Sequence, residues 1–495
     1  MKYDIEHWLL YVLSMSIFGI ASYYLIRCYK FEKKRWVFGY AYPSPGLLFI
    51  SSTYVYFLLT GCLLWNYESL GEDFRVRFGY GSEYYFLAML SGYLAMFFAY
   101  SGYKAQYFSR KHHINMHKII VRTHDKIVRS SSAYWIALCL FICGLVFSFV
   151  MKDFSSVGYG DGNYAEKISD PKVKIVGLIV DILSPSFAVM WYLSVINENS
   201  KYLFISLLST FIAISYGMGH ASLFGVLGYM LPIITIYFYK NLVPANLGCH
   251  NSVNVVKLSI VIFFVLLFFL INKSVMRSLS NFGIETSLID LVLNIDVFFD
   301  NTEIGLVLIN HALEDFVKEI SGVDIISLIS IRQLKGVDIE YGATYLILLT
   351  CLIPSLLYSG KPETTLGTWF GDKYWFTQEE LLKFGEGAQA NIFHIIGEVH
   401  INFGFFALIF IPLIFYLYGS LLGALMKKIL RKNLLYLPVY VFLVRIMHEI
   451  ILTLSTIATV FSSIVKQFIL VSVFMFVFLA LIYCLKISTK LIFNK

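Results

Sequence analysis

Long apolar runs separated by short polar interruptions dominate the pattern of this chain. Such runs recur near residues 8–27, 46–65, 83–103, 133–151, 174–195, 202–217, 222–239 and 257–272, and again near 399–422, 434–457 and 461–485. Each is close to the roughly 20 residues a helix needs to cross the hydrocarbon core of a bilayer. The roughly ten-residue in–out alternation of a membrane β-barrel is absent. The pattern therefore predicts an all-α, polytopic membrane protein with about eleven transmembrane helices, ten to twelve allowing for uncertain ends. The run from Trp8 to Ile26 has no small-residue cleavage site behind it and is expected as a retained first helix.

The rhythm breaks between residues 273 and 398. Segments 284–298 and 302–320 mix apolar and acidic residues at helical spacing and predict amphipathic helices. Tyr345 to Tyr358 is apolar but too short to cross, with Pro354 near its end, and predicts an interfacial or re-entrant helix. The chain thus divides into an eight-helix bundle over 1–272, a large loop or cap over 273–398, and a three-helix part over 399–495.

Charge assigns sides to this layout. The 273–398 stretch holds 17 acids against 8 Lys and Arg, a net −9, while the whole chain is +7. Basic residues gather instead in loop 28–45 (Lys30, Lys33, Lys34, Arg35), loop 104–132 and loop 423–433 (Lys427, Lys428, Arg431, Lys432). The positive-inside rule makes those loops and the C-terminus cytoplasmic, leaving the N-terminus and the acidic cap outside. With 58% hydrophobic residues and a mean hydropathy of +0.71, soluble classes are excluded.

Candidate chemistry sits where ionisable residues enter apolar runs, because each is costly there. Arg445, His448 and Glu449 share one face of the tenth expected span, where a ligand site and an ion pair that locks helix packing are both open. Asp181, ahead of Pro185, is a weaker case, read as packing or capping. At the exit of the cap, Asn391, His394, Glu398 and Asn402 stack at spacings of three and four, with His400 pointing elsewhere. Such a stripe suits a general base, Glu398 or a nearby imidazole. It equally suits hydrogen-bonded residues sealing the cap onto the bundle. The few basic residues of the cap, Arg277, Arg332, Lys335 and Lys361, are candidate phosphate ligands or ion-pair partners.

No P-loop, dinucleotide fingerprint, HExxH or CxxC occurs, so no nucleotide, cofactor or metal site is signalled. Gly158 to Gly162 reads as a flexible turn. The seven cysteines have no metal spacing and are expected as free thiols.

Leu352-Ile353-Pro354 through Lys361-Pro362, followed by Gly397-Glu398-Val399-His400-Ile401-Asn402-Phe403-Gly404, resembles the C-terminal signature of Wzy-type O-antigen polymerases. The layout of spans with one large external loop resembles that family too, over residues 200–425. The resemblance implies a glycosyltransferase of the bacterial inner membrane that polymerises oligosaccharide repeat units at its periplasmic face. Donor and acceptor would both be carried on undecaprenyl diphosphate, with a chain-length regulator as a further candidate partner and no nucleic acid or cofactor. It implies Glu398 as base, with His394 or His400 as alternatives, and a diphosphate clamp from Arg277, Arg332, Arg445 and Lys361. His448, Glu449 and Asn402 would support them. Where many members carry an Arg after small residues, Ser215 to Gly219 here leads to His220, a substitute clamp residue only when protonated. An O-antigen ligase of similar architecture is the nearest rival. A lipid-linked oligosaccharide flippase is the rival from another class, though no internal repeat is evident.

Overall fold

The computed structural model describes residues 5–36, 44–66, 83–108, 131–150, 178–196 without 181, 199–219, 321–350, 367–375, 394–431 and 456–493, and the isolated positions 232, 233, 235, 441 and 444. Among these residues every regular element is helical. They are α1 (Ile5–Trp36), α2 (Pro45–Thr53), α3 (Thr60–Asn66), α4 (Glu83–Tyr107), α5 (Ser131–Val150), α6 (Pro185–Ile196) and α7 (Ser200–Gly219). There follow α8 (Gly322–Leu334), α9 (Ala343–Thr350), α10 (Gly367–Phe370), α11 (Ile395–Phe403), α12 (Ala407–Arg431) and α13 (Ile457–Phe493).

Among the described residues six stretches are long and apolar enough to cross a membrane: Ile5–Arg35, Pro45–Asn66, Glu83–Tyr107, Leu178–Val195, Ile395–Lys427 and Ile464–Leu485. Ser132–Phe147 and Ser200–Ala213 are shorter apolar helices. This is a helical membrane protein, with large side chains such as Phe204, Phe211, Ile409, Leu421, Phe468 and Phe476 pointing outward, as lipid rather than water requires. The expected spans 222–239, 257–272 and 434–457 fall almost entirely outside the described residues, as do the expected helices 284–298 and 302–320. The five described cysteines, Cys28, Cys62, Cys139, Cys143 and Cys484, are free thiols.

Helix ends differ from expectation in a consistent way. Lys30, Lys33, Lys34 and Arg35 ride on the last turns of α1, and Lys427, Lys428 and Arg431 on those of α12, rather than in loops. Basic side chains complement the negative end of a helix, so helical hydrogen bonding runs on past the apolar stretch.

Among the described residues two apolar cores form. The first joins α1, the α2–α3 rod, α4, α8, α11 and α12 around Leu47, Phe57, Met89, Met96, Val399 and Phe415. The second joins α5, α6, α7 and α13 around Phe141, Val189, Trp191, Phe474 and Phe478. Helix α13 touches both, with Val460 in the first and Val471 in the second. Among the described elements the most extensive helix pairing is α4 on α12. It is permitted by small residues: a Cβ on Gly419 would lie 1.9 Å from Ala99 O, one on Gly102 2.1 Å from Tyr416 O, and one on Gly423 2.7 Å from Tyr103 O. Backbones approach this closely only through such small-residue seams.

Helix α8 was not anticipated as a helix, and it is not a surface element. Val323, Ile326, Leu328 and Ile329 are wholly buried in the first core, and α8 packs on α4. Its start has a legible cause: Ser321 Oγ accepts a hydrogen bond from Asp324 N at 3.3 Å. The α2–α3 rod passes through a wide π-helical stretch, Tyr54–Leu59, that turns Tyr56 and Phe57 into the core. Such widened turns often mark functional positions.

At the far end of the same core Glu32 of α1 is buried. It accepts from Ser44 N (2.9 Å), Ser44 Oγ (2.6 Å) and Tyr100 Oη (2.9 Å), while Ser44 Oγ caps α2 by accepting from Leu47 N at 3.1 Å. Ser44→Ala removes both the cap and a carboxylate partner. It is expected to lower stability by about 1–2 kcal/mol. Detergent unfolding of the purified protein checks this, with Ser44→Thr expected to hold near the parent.

Candidate functional site

The site is built on α11, whose residues Ile395 to Asn402 are all buried. His394, in extended backbone, is the N-cap of α11, and Asn391 lies outside the described residues. Helix α11 ends at Gly404, whose φ of +55° is costly for any residue with a Cβ. A Cβ there would also meet Ile339 Cδ1 at 2.7 Å. The Gly404–Phe406 turn then redirects the chain into α12.

Glu398 and Asn402, one helical turn apart, face the same partner on α9. Thr344 Oγ1 donates to Glu398 Oε1 at 3.0 Å, and Asn402 Nδ2 donates to Thr344 Oγ1 at 2.6 Å and to Glu398 O at 2.7 Å. Asn402 Oδ1 accepts from Gly342 N (3.0 Å) and Thr344 N (3.4 Å), so the amide uses its full hydrogen-bonding capacity. The other carboxylate oxygen of Glu398 accepts from Ile457 N at 2.8 Å. That nitrogen opens α13, so the carboxylate faces the positive end of a 37-residue helix. Glu398 is therefore a three-way joint between α9, α11 and α13.

Delivering Thr344 requires a tight turn ahead of α9. Tyr341 (φ +47°) and Gly342 (φ +90°) both adopt left-handed backbone, which directs Gly342 N and Thr344 N onto Asn402. For the exposed Tyr341 that conformation is a strained one, held by the backbone bonds of Glu340 and Gly342 on either side. Glu340 N donates to Ile401 O at 3.1 Å, and Gln333 Nε2 of α8 donates to His400 O at 3.0 Å.

His400 turns to the opposite side, its Nε2 sharing a hydrogen bond of 2.9 Å with Ser91 Oγ of α4. His394 sits edge-on to Tyr56 and Phe57 of the π-helical stretch, with ring centroids 4.8 and 5.6 Å away. The three expected base candidates thus face three different neighbours. Each is buried, and Glu398 has no exposed surface.

Of the expected clamp residues only Arg332 is described. Its Nε donates to Tyr374 O at 2.9 Å, holding the π-helical turn Gly371–Trp375 against α8. Lys373 of that turn pairs with Glu340 and lies 5.3 Å from the Trp369 ring centroid. Burial pushes the Tyr374 hydroxyl well above its ordinary range. Arg277, Lys361, His220, Arg445, His448, Glu449 and Asp181 lie outside the described residues.

Sequence reading missed Thr344, Ser91, Gln333 and the joint at Ile457. Asn402 offered a signal for Thr344, because a buried amide needs partners on another segment. No family model, curated protein or solved structure matches the chain.

Proposed function

We propose that this protein polymerises oligosaccharide repeat units carried on undecaprenyl diphosphate, at the periplasmic face of a bacterial inner membrane. The observation that supports the reading is the joint at Gly397 to Gly404. The residues that carry the resemblance to Wzy-type polymerases are also those by which Glu398 and Asn402 fasten cap residue Thr344 to the membrane helices. A fixed cap over the outer ends of the helices suits an enzyme that must align two lipid-anchored sugars and exclude water.

In the proposed reaction an acceptor hydroxyl attacks the anomeric carbon of the donor sugar. The bond from that carbon to the diphosphate oxygen breaks, undecaprenyl diphosphate departs with the bond electrons, and the hydroxyl proton passes to a base. A base must reach that proton. Both oxygens of Glu398 are held by Thr344 and Ile457, so this reading makes Glu398 an anchor. It passes the role of base to His394, the imidazole standing where the cap chain enters α11. The departing diphosphate is assigned to Arg277, Arg332, Arg445 and Lys361, with positive charge stabilising the leaving oxygen.

Complementation of a deletion strain tests the assignment by glycan chain length. His394→Ala is expected to slow polymerisation by roughly 10²–10⁴-fold, and Arg277→Ala to leave single capped repeat units, with both proteins still in the membrane. Glu398→Gln is expected to keep long chains. Wild-type chains from His394→Ala would remove it as the base, and accumulation of untranslocated precursor in the deletion strain would favour a transporter.

A further inference from the structure

At the end of the first core remote from α11, a cavity of about 590 Å³ opens between the C-terminal parts of α1 and α4. Its rim carries Arg27, Lys30 and Lys34 from α1 and Lys104 from α4, all four exposed. Its wall is apolar and aromatic, with Tyr24, Phe31 and Phe97. Lys104 Nζ sits 4.4 Å from the Phe31 ring centroid, lying along the wall with its charge at the mouth. The acid on the same face, Glu32, points inward and is engaged by Ser44 and Tyr100.

Basic residues beside a membrane helix are by themselves a sign of sidedness. Here they converge from two helices on one concave site, and both helices are long and apolar enough to cross the bilayer. The combination of charged rim and aromatic wall matches an amphiphile with an anionic head and an apolar tail. We infer that the cavity between α1 and α4 binds the phosphate headgroup of an anionic membrane lipid, with an acyl chain along Tyr24, Phe31 and Phe97. Basic pockets between membrane helices recognise such headgroups by charge and shape. The site is independent of the polymerase reading and lies at the other end of the core from α11.

The test uses the full-length protein in phosphatidylcholine nanodiscs containing a photoreactive phosphatidylglycerol, with labelled peptides mapped by mass spectrometry. Labelling is expected on the α1 and α4 peptides that line the cavity. Each neutralised cation is expected to lower it roughly fivefold, so Lys30→Gln with Lys34→Gln lowers it more than either alone. Lys→Arg changes at both positions should leave it intact. Three results would overturn the inference: equal labelling by photoreactive phosphatidylcholine, labelling undiminished in the double Gln variant, or loss of the label to added inorganic phosphate, which marks a site for free anions.

Discussion

Glu398→Ala is expected to loosen the last described helix from the rest of the molecule and to lower stability by about 2–4 kcal/mol. The buried Thr344 hydroxyl and the half-buried Ile457 amide both lose their acceptor, and the start of α13 loses the negative charge that faces its positive end. Glu398→Gln separates shape from charge. Its carbonyl oxygen can still accept from Ile457 N, and its amide can donate to Thr344 Oγ1 as a second donor beside Asn402 Nδ2, so both neighbours stay bridged and only the Thr344 hydroxyl proton loses its acceptor. Detergent unfolding of the purified variants, with limited proteolysis near residue 456, should show Ala strongly weakened and Gln close to the parent. An Ala variant as resistant as the parent would mean that the joint does not hold α13.

Gly419→Val is expected to have the largest effect on folding itself. Where α12 crosses α4 a Cβ at 419 would lie 1.9 Å from Ala99 O, whereas real contacts of this kind stay above 3.0 Å. The obstacle is backbone, so no rotamer change relieves it and the helices must part along the Gly102 and Gly423 seam. Overpacking in a core usually costs roughly 1–3 kcal/mol, and a clash with main chain falls at or beyond the top of that range. Gly419→Ala should already be harmful. Gly19 on α1 supplies the control: it is exposed with nothing within 4 Å, and Gly19→Ala should be neutral or slightly stabilising in a helix. Monodisperse protein recovered from membranes, compared by size-exclusion profile, checks both.

Local periodicity made the helical membrane class legible, because apolar run length reports directly on burial in lipid. The Glu398 and Asn402 stripe was legible for the same reason, since residues four apart share a helix face. What the stripe touches was not. Thr344 and Ile457 lie 54 and 59 residues away in sequence from Glu398, and only packing brings them together. Helix α8 was harder to place: Asp324, Ser327 and Ser330 recur every third residue between apolar pairs, yet in the fold even these polar positions are buried, so its short polar stripe does not mark a surface face. Two local signals for these features were present all along: Ser321 three residues before Asp324, and Gly419 four before Gly423. The ends of α1 and α12 were placed too early because their basic last turns look like loops when charge alone is read.

The most direct test is to incubate the purified protein with synthetic undecaprenyl-diphosphate repeat units and resolve the products by size. Polymerisation predicts a ladder of chains growing by whole repeat units, with release of undecaprenyl diphosphate and loss of the ladder in His394→Ala. Repeat units that stay single with the folded parent protein, or that pass only to an added lipid A core, would contradict it.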